Sequence, residues 1–160
     1  MKLKVIDDFL SSDDYESVRR MVMEDSSFQW MYSEGVDTSD DGYHQLCHIF
    51  YSQFEPKSPF FYNLIPIINE LRPISIVRIK ANLNMKTSER EEYSFHTDVD
   101  NCITSIYYVN TNDGYTRFED GTTVDSVENR MVIFDSNTLH AGCSPTDELR
   151  RCLINFNYFV

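Results

Sequence analysis

The spacing of apolar and polar residues predicts two helices and several short strands over residues 1–72. The stretch SSDDYESVRRMVME begins with serines that suit a helix N-cap, has acidic residues in its first turn and repeats apolar residues at helical spacing. PFFYNLIPIINEL predicts a second helix that is kinked at Pro66. Short strands are predicted in LKVIDDFL, SFQWMY and CHIFYSQF.

From Pro73 onward the pattern changes to short runs that are rich in β-branched and aromatic residues. These runs are ISIVRIKANLN, CITSIYYVN, YTRFEDG, TTVDSV, RMVIFD and RCLINFNYFV, separated by turn formers. The pattern predicts a mainly β (α+β) fold, a barrel or jelly roll buttressed by N-terminal helices. The length of 160 residues predicts one domain over 1–160, with supporting elements in 1–72 and the β core in 73–160.

Composition narrows the class of protein. The apolar fraction of 41% is typical of a globular chain, and the net charge of −12 argues against nucleic-acid binding, which needs Lys and Arg. No apolar stretch is long enough to span a bilayer, and the start MKLKVIDDFL has no signal-peptide core, so we expect a cytoplasmic protein without a membrane segment. The four cysteines form no Cys-x-x-Cys pair and are expected to be reduced and mostly buried.

The run YSFHTDVD concentrates candidate chemistry. On a strand, His96, Asp98 and Asp100 would all point to one face, as either a polar edge in water or half of a metal site. His140, just after an apolar strand in FDSNTLHAGCSP, is the candidate third ligand. A His-x-Asp pair with a distant histidine is the pattern of the facial triad, which binds Fe(II) and leaves positions open for substrate and O₂. His-x-Asp alone is a weak signal.

His44, Cys47 and His48 form a second candidate metal site. These residues would suit zinc if the segment were helical. The surrounding CHIFY predicts a strand, which would separate the two histidines along its length. Asp100 is expected to be a turn residue before Asn101.

Several motifs taken together resemble those of the 2-oxoglutarate- and Fe(II)-dependent oxygenases, and among them the prolyl 4-hydroxylase-like branch. The resemblance covers residues 73–159 and rests on HTD, CITSIYYVN, GYTRF, VIFDSNTLHAG and RRCLINFNYF. It implies a double-stranded β-helix and a dioxygenase that uses Fe(II), 2-oxoglutarate and O₂. The iron ligands would be His96, Asp98 and His140. The substrate would be a peptidyl proline or another amino-acid side chain, in a peptide or a free amino acid.

The resemblance also implies residues that bind the cosubstrate. Arg151 would hold the far carboxylate of 2-oxoglutarate, because a guanidinium binds a carboxylate through two parallel hydrogen bonds. The hydroxyl of Tyr108 would donate a hydrogen bond to that carboxylate, and Asn82 would face the cosubstrate. Arg150 competes with Arg151, but Arg150 shares its strand face with apolar residues. Alternation therefore favours Arg151.

Substrate-side positions differ from the oxygen-sensing prolyl hydroxylases that the motifs resemble. Tyr93 matches a tyrosine on the substrate side of the iron. Asn157 and Asn101, which are candidate substrate contacts as well, stand where those enzymes have a tryptophan and an arginine. Gly114-Tyr115 replaces a Gly-Gly pair. These departures predict an altered substrate pocket and disfavour a prolyl peptide. Residues 33–58 are expected to form a flap over the site.

A second reading belongs to another class of function. The same ligands could serve a catalytically silent, metal-binding jelly roll that acts as a binding module. Retention of three ligands together with the arginine favours the enzyme.

Overall fold

The computed structural model describes residues 2–36 and 41–160. The chain forms eleven strands, two α-helices and one 3-10 helix within these residues. The α-helices are α1 (Ser12–Met23) and α2 (Ile65–Leu71), and the 3-10 helix spans Pro59–Leu64. The strands are β1 (Lys4–Ile6), β2 (Met31–Glu34), β3 (His44–Ser52), β4 (Glu55–Pro56), β5 (Ser75–Met85), β6 (Ile103–Tyr108), β7 (Tyr115–Phe118), β8 (Thr123–Asp125), β9 (Arg130–Asp135), β10 (His140–Gly142) and β11 (Arg150–Phe159).

Two antiparallel sheets make up the β core. The larger sheet runs in the order β1-β9-β6-β11-β5-β3-β2, with β4 paired to β3, and the smaller runs β10-β7-β8. This arrangement confirms the prediction of a mainly β jelly roll with N-terminal helices. Because β5 pairs with both β3 and β11, the N-terminal elements extend the sheet that carries the core.

Helix α1 covers the outer face of the larger sheet. Ser11 caps it, since its side chain accepts a hydrogen bond from the Asp14 backbone N–H at 3.2 Å. Val18, Met21 and Val22 share one buried apolar cluster with side chains of β6, β9 and β11. The alternate residues of β11 on this face are Cys152, Ile154, Phe156 and Tyr158. The opposite face of β11, which begins with Arg151, therefore points between the two sheets.

Three local predictions need correction. Pro66 does not kink one helix but lies in the first turn of α2, where the chain leaves the 3-10 helix and a missing N–H costs little. SFQWMY is a strand only in its last residues. The expected flap, 33–58, consists mainly of paired strands and not of a loop, although its residues Val36 and Gln45 line the cavity described below. Residues 37–40 of that segment lie outside the described residues.

The cysteine prediction agrees with the structure: all four thiols are free, and Cys102, Cys143 and Cys152 are buried. Among the residues that the structure describes, no helix combines the length and the apolar character needed to cross a membrane.

Candidate metal and cosubstrate site

Three side chains converge at one mouth of the jelly roll. One potential ligand atom from each of His96, Asp98 and His140 lies within 4.8 Å of the others. His140 begins β10 and forms an isolated antiparallel bridge with His96. His140 Nδ1 donates to the Thr138 carbonyl at 2.9 Å, so a neutral ring carries its lone pair on Nε2, the atom suited to a metal. Two imidazoles and one carboxylate are the donor set of a facial-triad iron site.

The residues converge for a different reason from the one predicted. YSFHTDVD is not a continuous strand, so alternation along a strand does not align His96 with Asp98. Instead the bridge fixes His96, and a backbone hydrogen bond from Asp98 N–H to the Ser136 carbonyl, at 3.1 Å, fixes Asp98. Asp100 lies in the following turn, as expected, next to Asn101 with its positive φ of 59°.

The carboxylate of Asp98 is buried and hydrogen-bonded on both oxygens. Oδ2 accepts hydrogen bonds from Thr104 Oγ1 at 2.9 Å and Asn157 Nδ2 at 3.3 Å, and Oδ1 accepts one from Arg78 Nη2 at 3.1 Å. Burial alone would raise the pKa of Asp98, but the charge of His140 when its ring is protonated, the charge of Arg78 and the Thr104 hydrogen bond lower it below its usual value. The group is therefore held as a carboxylate, the form that binds a metal.

A cavity of about 310 Å³ opens beside these three residues. One wall is formed by the inward faces of the paired strands β5 and β11, and the smaller sheet contributes Thr116 of β7 and His140 and Gly142 of β10. Besides the three candidate ligands, the lining includes the side chains of Arg78, Lys80, Asn82, Asn84, Arg151, Leu153, Asn155, Tyr93 and Thr116. The cavity is thus polar. Arg78 and Lys80 lie toward one end of the β5 wall, and Arg151 pairs in register with Asn84 at the other end.

Arg151 is a buried cation without a carboxylate partner among the described residues. It is 1% exposed, and its guanidinium donates to Ser126 Oγ at 2.7 Å, Thr116 Oγ1 at 3.1 Å and, at 3.5 Å, Asn84 Oδ1. Burial lowers the pKa of Arg151. Neutral partners do not offset the cost of a buried charge as an anion would. The geometry suits a bound carboxylate, and Gly114 leaves room for the arginine, since a Cβ there would meet Arg151 Cδ at 2.7 Å.

Unpaired polar atoms point to a ligand in the same cavity. Within residues 2–36 and 41–160, the buried side-chain atoms without a hydrogen-bond partner are Asn82 Oδ1, Asn84 Nδ2 and Asn155 Oδ1. All three residues line the cavity. Because buried polar atoms are normally satisfied, these atoms mark where a polar molecule would bind. The residues present therefore fit a metal with a dicarboxylate beside it.

The remaining predicted site residues differ in whether they reach the cavity. Tyr93 lines the cavity, and burial raises the pKa of its phenol to about 12. Tyr108 lies one layer behind: its hydroxyl donates to Thr116 Oγ1 at 2.7 Å and its ring centroid is 5.6 Å from the Arg151 guanidinium. Asn101 is exposed on a turn and does not line the cavity, and Asn157 is fully buried behind Asp98. The expected substrate contacts of Asn101 and Asn157 therefore have no basis in the geometry.

The alternative zinc site is not formed. His44 is exposed, and His48 is engaged on both ring nitrogens, by the Gln29 carbonyl at 2.7 Å and Ser58 Oγ at 2.8 Å. In the described part of the chain, the cluster of His96, Asp98 and His140 is the one group of three such side chains placed to hold a metal ion.

Sequence reasoning missed most of the β5 wall. Within RIKANLN it singled out Asn82 alone, although Arg78, Lys80 and Asn84 share its strand parity and also line the cavity. A strict alternation of polar and apolar residues in that run was the available signal. Thr116, next to Arg117 in β7, and Asn155, two residues before Asn157 in β11, were not singled out as site residues either.

The chain resembles known oxygenases in sequence and in fold. Residues 82–159 match the family model described as the 2OG-Fe(II) oxygenase superfamily. A prolyl hydroxylase from Trichoplax adhaerens, solved with a hypoxia inducible factor peptide, superposes with a TM-score of 0.67 at 14% identity, covering 98% of this chain and 83% of that one. A 2OG-Fe(II) oxygenase family oxidoreductase from Burkholderia pseudomallei gives 0.72 at 7% identity, with coverages of 98% and 84%.

A prolyl-4-hydroxylase from Pseudomonas putida shares the fold too, with a TM-score of 0.60 at 13% identity, covering 99% of this chain and 92% of that one. No curated protein has a significant sequence match to the chain. The family match and the shared jelly roll agree with the resemblance found in the sequence motifs.

Proposed function

We propose that this chain, a 2-oxoglutarate-dependent dioxygenase whose residues 82–159 belong to the 2OG-Fe(II) oxygenase superfamily, hydroxylates an amino-acid side chain. The observation that carries the assignment of residues is the shared cavity. The cluster of His96, Asp98 and His140 opens into the same 310 Å³ space as the buried, carboxylate-free guanidinium of Arg151.

Fe(II) would be held by His96, Asp98 and His140. The neighbours of Asp98 support this role, because Thr104, Asn157 and Arg78 hydrogen-bond its oxygens and so fix the direction of the carboxylate. Second-sphere hydrogen bonds of this kind orient metal ligands and tune the metal.

2-Oxoglutarate would lie along the β5 wall with its far carboxylate on Arg151. The guanidinium provides a charge for it, and the unpaired amide atoms of Asn82, Asn84 and Asn155 provide hydrogen bonds along its length. Tyr108 would support this arrangement indirectly by holding Thr116, which in turn contacts Arg151.

Fe(II) with 2-oxoglutarate and O₂ supplies the oxidation that inserts one oxygen atom into a substrate C–H bond and the other into succinate, with loss of CO₂. The protein orients the ligands and surrounds the reacting centre with buried walls that limit water. Tyr93, on the cavity wall and with a raised pKa, stays protonated and can donate a hydrogen bond to bound substrate.

The substrate is proposed to be an amino-acid side chain, in a peptide or in a free amino acid. Support comes from the Trichoplax adhaerens prolyl hydroxylase, which was solved with a peptide and shares the fold. The departures at Asn101 and Asn157 argue against the same prolyl peptide.

The decisive assay is conversion of 2-oxoglutarate to succinate by the purified chain. We expect turnover that requires both Fe(II) and O₂, is slow without substrate and is lost in His96→Ala. The control is His44→Ala, an exposed histidine away from the cavity. If the wild-type chain binds a metal but forms no succinate with any substrate tested, the silent metal-binding module becomes the better account.

A further inference from the structure

Of the two cations on the β5 wall, Arg78 orients Asp98, whereas Lys80 has no role in the function described above. Arg78 and Lys80 alternate with Asn82 and Asn84 on the inward face of β5, and both line the cavity. Arg78 pairs with Asp98. Among the described residues, Lys80 has neither a hydrogen-bond acceptor nor an ion-pair partner for its ammonium group.

Burial of Lys80 is part of the same observation. Its side chain is partly buried in the cavity wall, and this desolvation, followed by the charge of Arg78, lowers the pKa of Lys80. A partly desolvated lysine without a partner is unusual in a protein interior, because the ammonium group normally stays in water or forms an ion pair with an acidic group. An anion beside it would compensate for both effects.

The side chains that line the cavity carry more positive than negative charge, which favours binding of a further anion. Three cations, Arg78, Lys80 and Arg151, face one carboxylate, Asp98. A divalent metal and the dianion 2-oxoglutarate would cancel each other, so the positive excess remains when both are bound. This excess stands out in a chain whose net charge is −12.

The position of Lys80 separates it from the Arg151 end of the cavity. Arg151 pairs in register with Asn84, and Lys80 pairs with Asn155. Lys80 and Asn84 are four residues apart, which is about 13 Å along a strand. Lys80 is next but one to Arg78, which contacts Asp98, so it lies at the metal end, where the proposed site leaves space for the substrate.

We infer that Lys80 binds the carboxylate of the primary substrate, and that this substrate is a small carboxylic acid such as a free amino acid. The inference rests on the proposed function and narrows its substrate class. The cavity volume of about 310 Å³ supports a small molecule, since the same space must hold 2-oxoglutarate and lies at the low end for ligand pockets.

A binding experiment tests Lys80 directly. The chain is labelled with [¹³C]lysine, loaded with Zn(II) and 2-oxoglutarate, and titrated with propionate or with propionamide, its neutral counterpart. The Lys80 ¹³Cε signal, identified by its loss in Lys80→Met, should shift saturably with propionate and not with propionamide. The exposed Lys86, just beyond the end of the same strand, is the internal control and should respond to neither.

Variants sharpen the test. Propionate affinity, measured by calorimetry on the loaded chain, should fall at least about tenfold in Lys80→Met and recover in Lys80→Arg, because removal of a partly buried charge partner weakens an anion. Lys86→Met should bind propionate like the wild type. Equal responses to propionate and propionamide, or a Lys80 signal that moves no more than that of Lys86, would overturn the inference.

The outcomes separate this inference from the proposed function. If 2-oxoglutarate does not bind or succinate is not formed, the proposed function fails. If both occur and Lys80 is silent to propionate, only the substrate class is wrong. A Lys80 signal that shifts fully on addition of 2-oxoglutarate and not further with propionate would assign the lysine to the cosubstrate and also overturn the inference.

Discussion

His96 and His140 pair across an isolated antiparallel bridge in which each backbone N–H donates to the other's carbonyl oxygen at 3.0 Å. Their ring centroids lie 4.6 Å apart. The backbone thus sets the spacing of two side chains that are far apart in sequence. Backbone hydrogen bonds therefore hold the two imidazoles at a fixed spacing, and a fixed ligand spacing favours tight and selective ligation.

Loss of a ligand should abolish tight metal binding while leaving the fold intact. We expect His96→Ala to weaken Mn(II) or Fe(II) binding about a hundredfold or more, since even loss of a second-sphere partner costs about 10–100-fold. Calorimetric titration under nitrogen measures this. His44→Ala, at an exposed position, should titrate like the wild type. Equal affinities for the two variants would remove His96 from the site.

Arg151→Ala should impair binding of 2-oxoglutarate far more than binding of the metal. A carboxylate left without its buried charge partner costs on the order of 3 to 5 kcal/mol, which corresponds to roughly a hundredfold or more in affinity. The measurement is a 2-oxoglutarate titration of Mn(II)-loaded protein under nitrogen. Retained Mn(II) binding shows that the variant is folded.

Arg150→Ala is the matched control for Arg151. Arg150 is partly exposed, and its Nη2 donates to the Met23 carbonyl at 2.8 Å, away from the cavity. Its removal should leave 2-oxoglutarate affinity within about twofold, as expected for a surface change. If Arg150→Ala lost binding and Arg151→Ala kept it, the assignment of the carboxylate partner would be reversed.

Asn157→Ala should lower the affinity for the metal, although Asn157 is not itself a candidate ligand and does not line the cavity. Its amide donates to Asp98 Oδ2 and accepts from Arg78 Nε at 3.0 Å, so its loss frees the carboxylate to rotate. We expect a drop of about 10–100-fold in metal affinity. Asn101→Gly, on the exposed turn with positive φ, should have no such effect. Similar metal affinities in the two variants would deny Asn157 its orienting role.

The sequence predicted the strands of the core and brought together the three proposed ligands, because β-branched runs and polar interruptions are local signals. It explained their convergence wrongly. A backbone bridge between His96 and His140 is a long-range pairing, and β10, only three residues long, has no periodicity to detect. Alternation did work on β11, because this strand is ten residues long and regular, so that Arg150 and Arg151 point to opposite faces.

The roles of asparagines could not be predicted from their positions. Asn157 and Asn101 both replace residues that contact substrate in the enzymes that the motifs resemble, yet one is buried behind Asp98 and the other is exposed. Which polar side chain reaches a cavity depends on how two sheets pack, and this is not encoded in any one strand.

His48 should make the stability of the fold depend on pH. Burial lowers the pKa of His48 below 6.5, against the opposing effect of the Gln29 carbonyl. The unfolded chain therefore takes up a proton first as the pH falls. The contribution of His48 to the free energy of unfolding should be fully present above pH 6.5. It should be lost as the pH falls from 6.5 to the lower pKa of the folded state.

Urea unfolding at several pH values between 7.5 and 5 tests this dependence. In His48→Asn, which has no titratable ring, the decline in unfolding free energy over this range should be smaller than in the wild type. The same decline in both proteins would show that other groups cause it.

The most direct test of the site is anomalous diffraction at the manganese edge from crystals grown with Mn(II) and 2-oxoglutarate under nitrogen. We expect one strong peak bonded to His96, Asp98 and His140, with metal–nitrogen and metal–oxygen distances of roughly 2.0 to 2.3 Å, and the far carboxylate of 2-oxoglutarate on Arg151. A peak elsewhere in the chain, or a cosubstrate that does not contact Arg151, would contradict the account.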